Sequence, residues 1–171
     1  MDAQDHIRNA FSRMAHVFAK KPEAAQDTSV MRARVVEGLH CEAREGDWRF
    51  SIDMPVEGGG TGAGPTPGVH GRAALASCLA IGYSIFLARA GIGVRSLEVE
   101  VAADYDNRGL LGIDGVYPAY LGVRHTLYLE ADATPEQLDP VLAEARRCSP
   151  YLHVFADPQP LQGSVVYGPR G

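Results

Sequence analysis

Two thiols on separate stretches of this chain carry the side chains best suited to chemistry. Cys78 lies inside the apolar run Ala73-Ala74-Leu75-Ala76-Ser77-Cys78-Leu79-Ala80-Ile81-Gly82-Tyr83, directly behind a glycine- and proline-rich loop. Cys148 follows seventy residues later in Arg146-Arg147-Cys148-Ser149-Pro150-Tyr151. Such a pair suits peroxide reduction: one thiolate attacks an O–O bond and becomes a sulfenic acid, which the other thiol converts to a disulfide. A cysteine in an apolar helix also serves as a small core residue with no chemistry, and both readings stand on sequence alone.

The elements that must hold these thiols decide what each can do. A nucleophilic thiolate needs its pKa lowered from about 8.5 by a cation or a helix N-terminus. Cys78 falls about two turns into its predicted helix, so an arginine from elsewhere is required. Arg34, Arg44 and Arg49 are candidates, whereas Arg72 is on a different face of the same helix. The helix neighbours of Cys78 are Ala74, Leu75, Ile81 and Gly82, two of them small enough to admit a substrate or another helix. Cys148 falls at a helix C-terminus, where backbone carbonyls disfavour a negative sulfur. It suits a resolving role better than an attacking one.

Other chemistries find little support. Gly58-Gly59-Gly60-Thr61-Gly62-Ala63-Gly64-Pro65 matches no dinucleotide or P-loop spacing, so it reads as a turning connector without a cofactor. The six histidines are dispersed, and His40-Cys41 on a strand would point to opposite faces, so no metal site is expected. A net charge of -5 and a pI near 5.6 give no basic field for nucleic acid or anionic lipid. Three cysteines make no disulfide framework. The start Met1-Asp2-Ala3-Gln4-Asp5-His6 lacks the order of a secretory signal. The apolar stretch Ala73 to Ala88 is shorter than the roughly 20 residues of a membrane span. The expectation is a cytoplasmic protein with reduced thiols.

Periodicity places the rest. Ile7, Phe11, Met14 and Phe18 form one stripe of an amphipathic helix over 5–19, followed by a linker to residue 28. Residues 29–42 and 48–54 alternate as the two strands of a hairpin, and 55–68, with six glycines and three prolines, is loop. Residues 71–90 read as a helix buried on every side, followed by strands over 94–105 and 121–130. Thr134-Pro135-Glu136-Gln137 is a capping box opening a helix, which Pro140 should kink or divide and Ser149-Pro150 should stop. Leu161 to Tyr167 reads as a final edge strand. This order is α+β, with an N-terminal helical extension and linker over 1–27 and one domain over 28–171.

From about Val30 to Tyr167 the chain resembles the OsmC-like family, which includes the organic hydroperoxide resistance proteins. The resemblance is carried by Asp53-Met54-Pro55, Gly59-Gly60, Gly64-Pro65-Thr66-Pro67, Ala74-Leu75-Ala76-Ser77-Cys78-Leu79, Asp106-Asn107-Arg108-Gly109 and Ser149-Pro150. It implies an intertwined homodimer of antiparallel sheets wrapped around long central helices, with sites at the subunit interface. It implies reduction of small organic hydroperoxides with Cys78 as the peroxidatic thiol, Cys148 as resolving thiol, a dithiol as reductant, and no metal or cofactor. The alternative is a catalytically inactive dimer of the same fold that binds a small apolar ligand at the interface. Three departures are visible. Val69 and Gly68 stand where the peroxidases have a glutamate, Ser149 directly precedes Pro150 where they have the second cysteine, and Gly38-Leu39-His40-Cys41 occupies the place of an arginine.

Overall fold

The structure, a computed structural model, describes residues 3–168. The first helix, α1 (Ala3–Lys20), covers the predicted segment and packs along the long helix of its own chain. Ile7 and Phe11 are half-buried there, whereas Met14 and Val17 stay exposed. The linker contains a single 3₁₀ turn, Pro22–Ala25.

The predicted hairpin is a three-stranded antiparallel sheet: β1 (Arg32–Glu37), β2 (His40–Glu45) and β3 (Trp48–Ile52). The extra turn falls at Gly38-Leu39, inside what alternation alone reads as one strand. Gly38 has φ 54°, a left-handed conformation that glycine adopts without steric cost, so Glu37 can pair with His40 across a two-residue turn. Gly46, φ 53°, does the same between Glu45 and Trp48.

The long helix α2 spans Pro67–Arg89, starting on Thr66-Pro67 with proline at the first position. At 23 residues it is longer than the sequence suggests, and by length and composition alone it could cross a membrane. Its stripe Leu75, Leu79, Tyr83 and Leu87 is buried at 1% exposure or less. That stripe packs on β4 (Val94–Asp104), on α4 (Pro135–Arg147) and on α5 (Pro150–Ala156). The opposite face is open: Ala73, Ser77 and Ile81 are exposed, so burial on every side does not hold within the single chain. β4 pairs antiparallel with β5 (Gly122–Ala131), and its inward residues Leu97, Val99 and Val101 alternate with outward Glu98 and Glu100. Between them lies a short helix, α3 (Asn107–Leu110), capped by Asp106.

Pro140 is absorbed inside one continuous α4, whose start is held by Gln137 Oε1 accepting the Thr134 N–H at 2.9 Å. Ser149-Pro150 stops α4 but also opens α5, a helix the sequence reading missed. The predicted final strand has no strand structure. Leu161, Val165, Val166 and Tyr167 stand at 74–95% exposure and pair with no strand among the described residues. The three-stranded sheet likewise packs mainly strand against strand, with little of the chain laid over it.

Candidate functional site

The Gly/Pro loop before α2 is tied to one buried carboxylate. Asp53 accepts from the N–H groups of Met54 (2.7 Å), Thr61 (2.9 Å) and Ala63 (3.1 Å) and from the Thr61 hydroxyl (2.7 Å). The Thr61 hydroxyl, followed by these backbone donors, holds its pKa far below the usual carboxylate range although burial opposes it. Glycine is required inside this knot. A Cβ on Gly60 would sit 1.9 Å from the Met54 carbonyl oxygen, and one on Gly64 would sit 2.2 Å from that of Ser51. The loop therefore fixes where α2 begins, and with it the position of Cys78.

Cys78 is half-buried, and its Sγ lies 3.6 Å from Ser149 Oγ. Ser149 is buried at 2% exposure, at the junction of α4 and α5, and its Oγ accepts the Leu152 N–H at 3.4 Å. With a lone pair so engaged, the hydroxyl proton is free to point at the sulfur. Cys148, the residue expected to meet Cys78, is instead exposed, with its Sγ 3.8 Å from Glu144 Oε1. Cys148 is the C-cap of α4 and Ser149, in extended conformation, the N-cap of α5, so it is the serine that the junction turns toward α2. All three cysteines are free thiols. Around Cys148, Arg147 pairs with Glu144 (Nε to Oε2 2.7 Å), which lowers the glutamate and raises the arginine pKa.

No arginine of β1–β3 hydrogen-bonds Cys78 among the described residues. Arg72, excluded by its face, instead occupies the space that Gly68 leaves. Its Nη1 donates to Tyr120 Oη at 3.3 Å, and a Cβ on Gly68 would come within 3.2 Å of it. The Tyr120 hydroxyl lies 3.5 Å from the Gly68 carbonyl oxygen, and its ring stacks on Phe155 at 6.3 Å. A guanidinium and a phenol thus stand at the place of the missing glutamate. Beside them a cavity of about 540 Å³ is lined by Tyr117, Tyr120, Val123, Val154 and Phe155 among others. The sequence held a signal for the Ser149 contact: serine followed by proline is a helix start as much as a stop. Tyr120 carried no signal, since it is brought to Arg72 only by the fold.

No group of three or more metal-ligating side chains occurs among the described residues. His40 Nε2 and Ser51 Oγ lie 2.9 Å apart, but Ser51 donates its proton to the Ala63 carbonyl at 3.0 Å. The histidine is therefore the donor and the serine is not activated.

The architecture is α+β, with a cysteine on the central helix set against a helix junction. The chain belongs to the OsmC-like family, whose model matches residues 59–162. Solved structures agree on the fold. An OsmC-like protein from Mycoplasma pneumoniae superposes with TM-score 0.65 at 14% identity, over 77% of this chain and 89% of that one. A putative osmotic stress induced and detoxification response protein from Psychrobacter arcticus gives 0.58 at 15%, over 75% and 89%. An organic hydroperoxide resistance protein OsmC from Legionella pneumophila gives 0.54 at 16%, over 75% and 89%. No curated protein matches the chain in sequence.

Proposed function

We propose that this protein is a homodimer that reduces small organic hydroperoxides with Cys78 as its single reacting thiol. The observation that carries this reading is the Cys78 Sγ–Ser149 Oγ contact of 3.6 Å on an OsmC-like fold. The sulfur attacks the outer peroxide oxygen, the O–O bond breaks, and the alcohol leaves with the proton as Cys78 becomes a sulfenic acid. Ser149 donates a hydrogen bond to the sulfur before and after attack. A small dithiol then condenses with the sulfenic acid, releasing water, and its second thiol displaces Cys78 as the reductant closes to a disulfide. Cys148, exposed beside Glu144, takes no part in this cycle.

Surface area supports the dimer. A compact monomer of 18.3 kDa exposes about 8,100 Å². This chain exposes 12644 Å². The excess of about 4,500 Å² exceeds the roughly 1,000–2,500 Å² per subunit that an obligate interface takes. Exposed apolar side chains on α2 (Ile81), on β1 (Val35, Val36) and over 161–167 supply surface for a partner to cover.

Purified protein is mixed with an alkyl hydroperoxide and dithiothreitol, and consumption is compared with Cys78→Ser and Cys148→Ser. Saturable turnover that is lost in the first variant and kept in the second is expected. Equal slow rates in all three proteins sink the enzymatic reading. The second reading, an inactive dimer holding a small apolar ligand, is favoured by the cavity beside Tyr120 and Phe155 and by Gly68 in the glutamate's place. Sedimentation showing a monomer at micromolar concentration would remove the dimer from both.

A further inference from the structure

The three-stranded sheet has two unlike faces. Arg32 pairs with Arg44 and Arg44 with Arg49, so three guanidiniums stand in one cross-strand row. Two residues along, on the same face, come Arg34, Glu42 and Ser51 in register. The intervening residues Ala33, Ala43 and Phe50 point the other way. Ala43 is buried, and the Phe50 ring meets His70 of α2 edge-on at 6.0 Å. The arginine face is thus directed away from α2. It bounds a cleft of about 900 Å³ whose lining includes the four arginines Arg32, Arg34, Arg44 and Arg49 with His40 and Glu42.

Like charges directly opposite one another on a sheet are destabilising. Among the described residues none of these four arginine side chains makes a hydrogen bond or ion pair, whereas Arg95, Arg108, Arg124 and Arg147 each have a carboxylate. Four cations against Glu42 in the cleft, and Glu37 opposite His40 at its end, leave an excess of positive charge on one face of a chain whose net charge is -5. Guanidinium forks match phosphate oxygens two at a time, and strands about 4.8 Å apart set three such forks in a line.

We propose that this face binds a small polyanion bearing a chain of phosphates, held along the Arg32–Arg44–Arg49 row, with Arg34 beside it and Glu42 limiting how far it spreads. The site is independent of the thiol chemistry at Cys78.

The test is titration calorimetry on the full chain with inorganic triphosphate at low salt, with orthophosphate as comparison. Triphosphate should bind saturably, more tightly than orthophosphate, and more weakly as salt rises. Arg44→Gln, at the centre of the row, should weaken it about tenfold or more, and Glu42→Gln should strengthen it. Arg124→Gln, a charge change on the other sheet, should leave it unchanged. Circular dichroism confirms that the variants fold. The proposal is overturned if triphosphate does not bind saturably, or if Arg44→Gln and Arg124→Gln weaken it equally. It is overturned as well if duplex DNA binds and triphosphate does not, or if Arg44→Gln converts a dimer to monomer, which would assign the face to a second copy.

Discussion

The two sheets of this chain are built alike and used differently. β4 and β5 lay alternate aliphatic residues on α2 and belong to a closed core with Leu75, Leu79, Tyr83 and Leu87. β1–β3 has the same antiparallel alternation, yet every residue of β1 is exposed and Trp48 stands at 74%. Pattern alone therefore says which face of a strand is apolar, not what covers it. In one sheet the cover is supplied by the chain itself, and in the other it must come from outside or not at all.

The largest expected effect sets the two halves against each other. Leu79→Ala removes a fully buried side chain and should cost about 2–5 kcal/mol. Val35→Ala, at 59% exposure, should cost well under about 1 kcal/mol in an isolated chain. Denaturant melts at several protein concentrations check this. A Val35→Ala loss that approaches the Leu79→Ala loss, and grows with dilution, would place a second subunit over β1.

Much of the closed half was legible, and the reason is local. The α2, β4 and β5 segments announce themselves by composition and alternation, and Thr134-Pro135 by its cap. What was not legible turns on single residues. Gly38 divides one apparent strand into two through its positive φ. Ser149 ends one helix and caps the next, which puts a hydroxyl rather than a thiol against Cys78. Tyr167 and its neighbours have strand composition without a neighbouring strand, a property of the surroundings that no sequence window contains. The same limit applies to Tyr120 and Arg72, forty-eight residues apart.

The next effects separate glycines held by this chain from those facing open space. Gly60→Ala forces a Cβ into the Met54 carbonyl and should break the Asp53 knot, lowering Tm and misplacing the start of α2. The knot also gives a pH signature. The Asp53 pKa is depressed on folding, so its contribution is fully present above the ordinary value of 3.8 and is lost as pH falls below it toward the folded value. Asp53→Asn should remove that part of the acid dependence of Tm, and an unchanged acid limb would count against the knot. Gly82→Ala meets nothing within 4 Å, so in an isolated chain it should stabilise α2 by about 0.5–1 kcal/mol. Destabilisation instead would mean that another helix lies against Gly82.

The smallest effect is the most diagnostic. Tyr83 is 1% exposed in the middle of the closed core, and its hydroxyl oxygen is buried with no hydrogen-bond partner. An unmet hydroxyl is a cost, since its water partners are lost and nothing replaces them. Tyr83→Phe keeps the ring and removes that cost, so in a self-contained chain stability should stay level or rise by up to about 1 kcal/mol. A loss of similar size has a different meaning. It requires a partner for the hydroxyl that this chain does not supply, and α2, with its open face, is where a second subunit would bring one. Melting Tyr83→Phe alongside Gly82→Ala thus asks of the closed half the question the open sheet poses, whether its packing is complete within one chain.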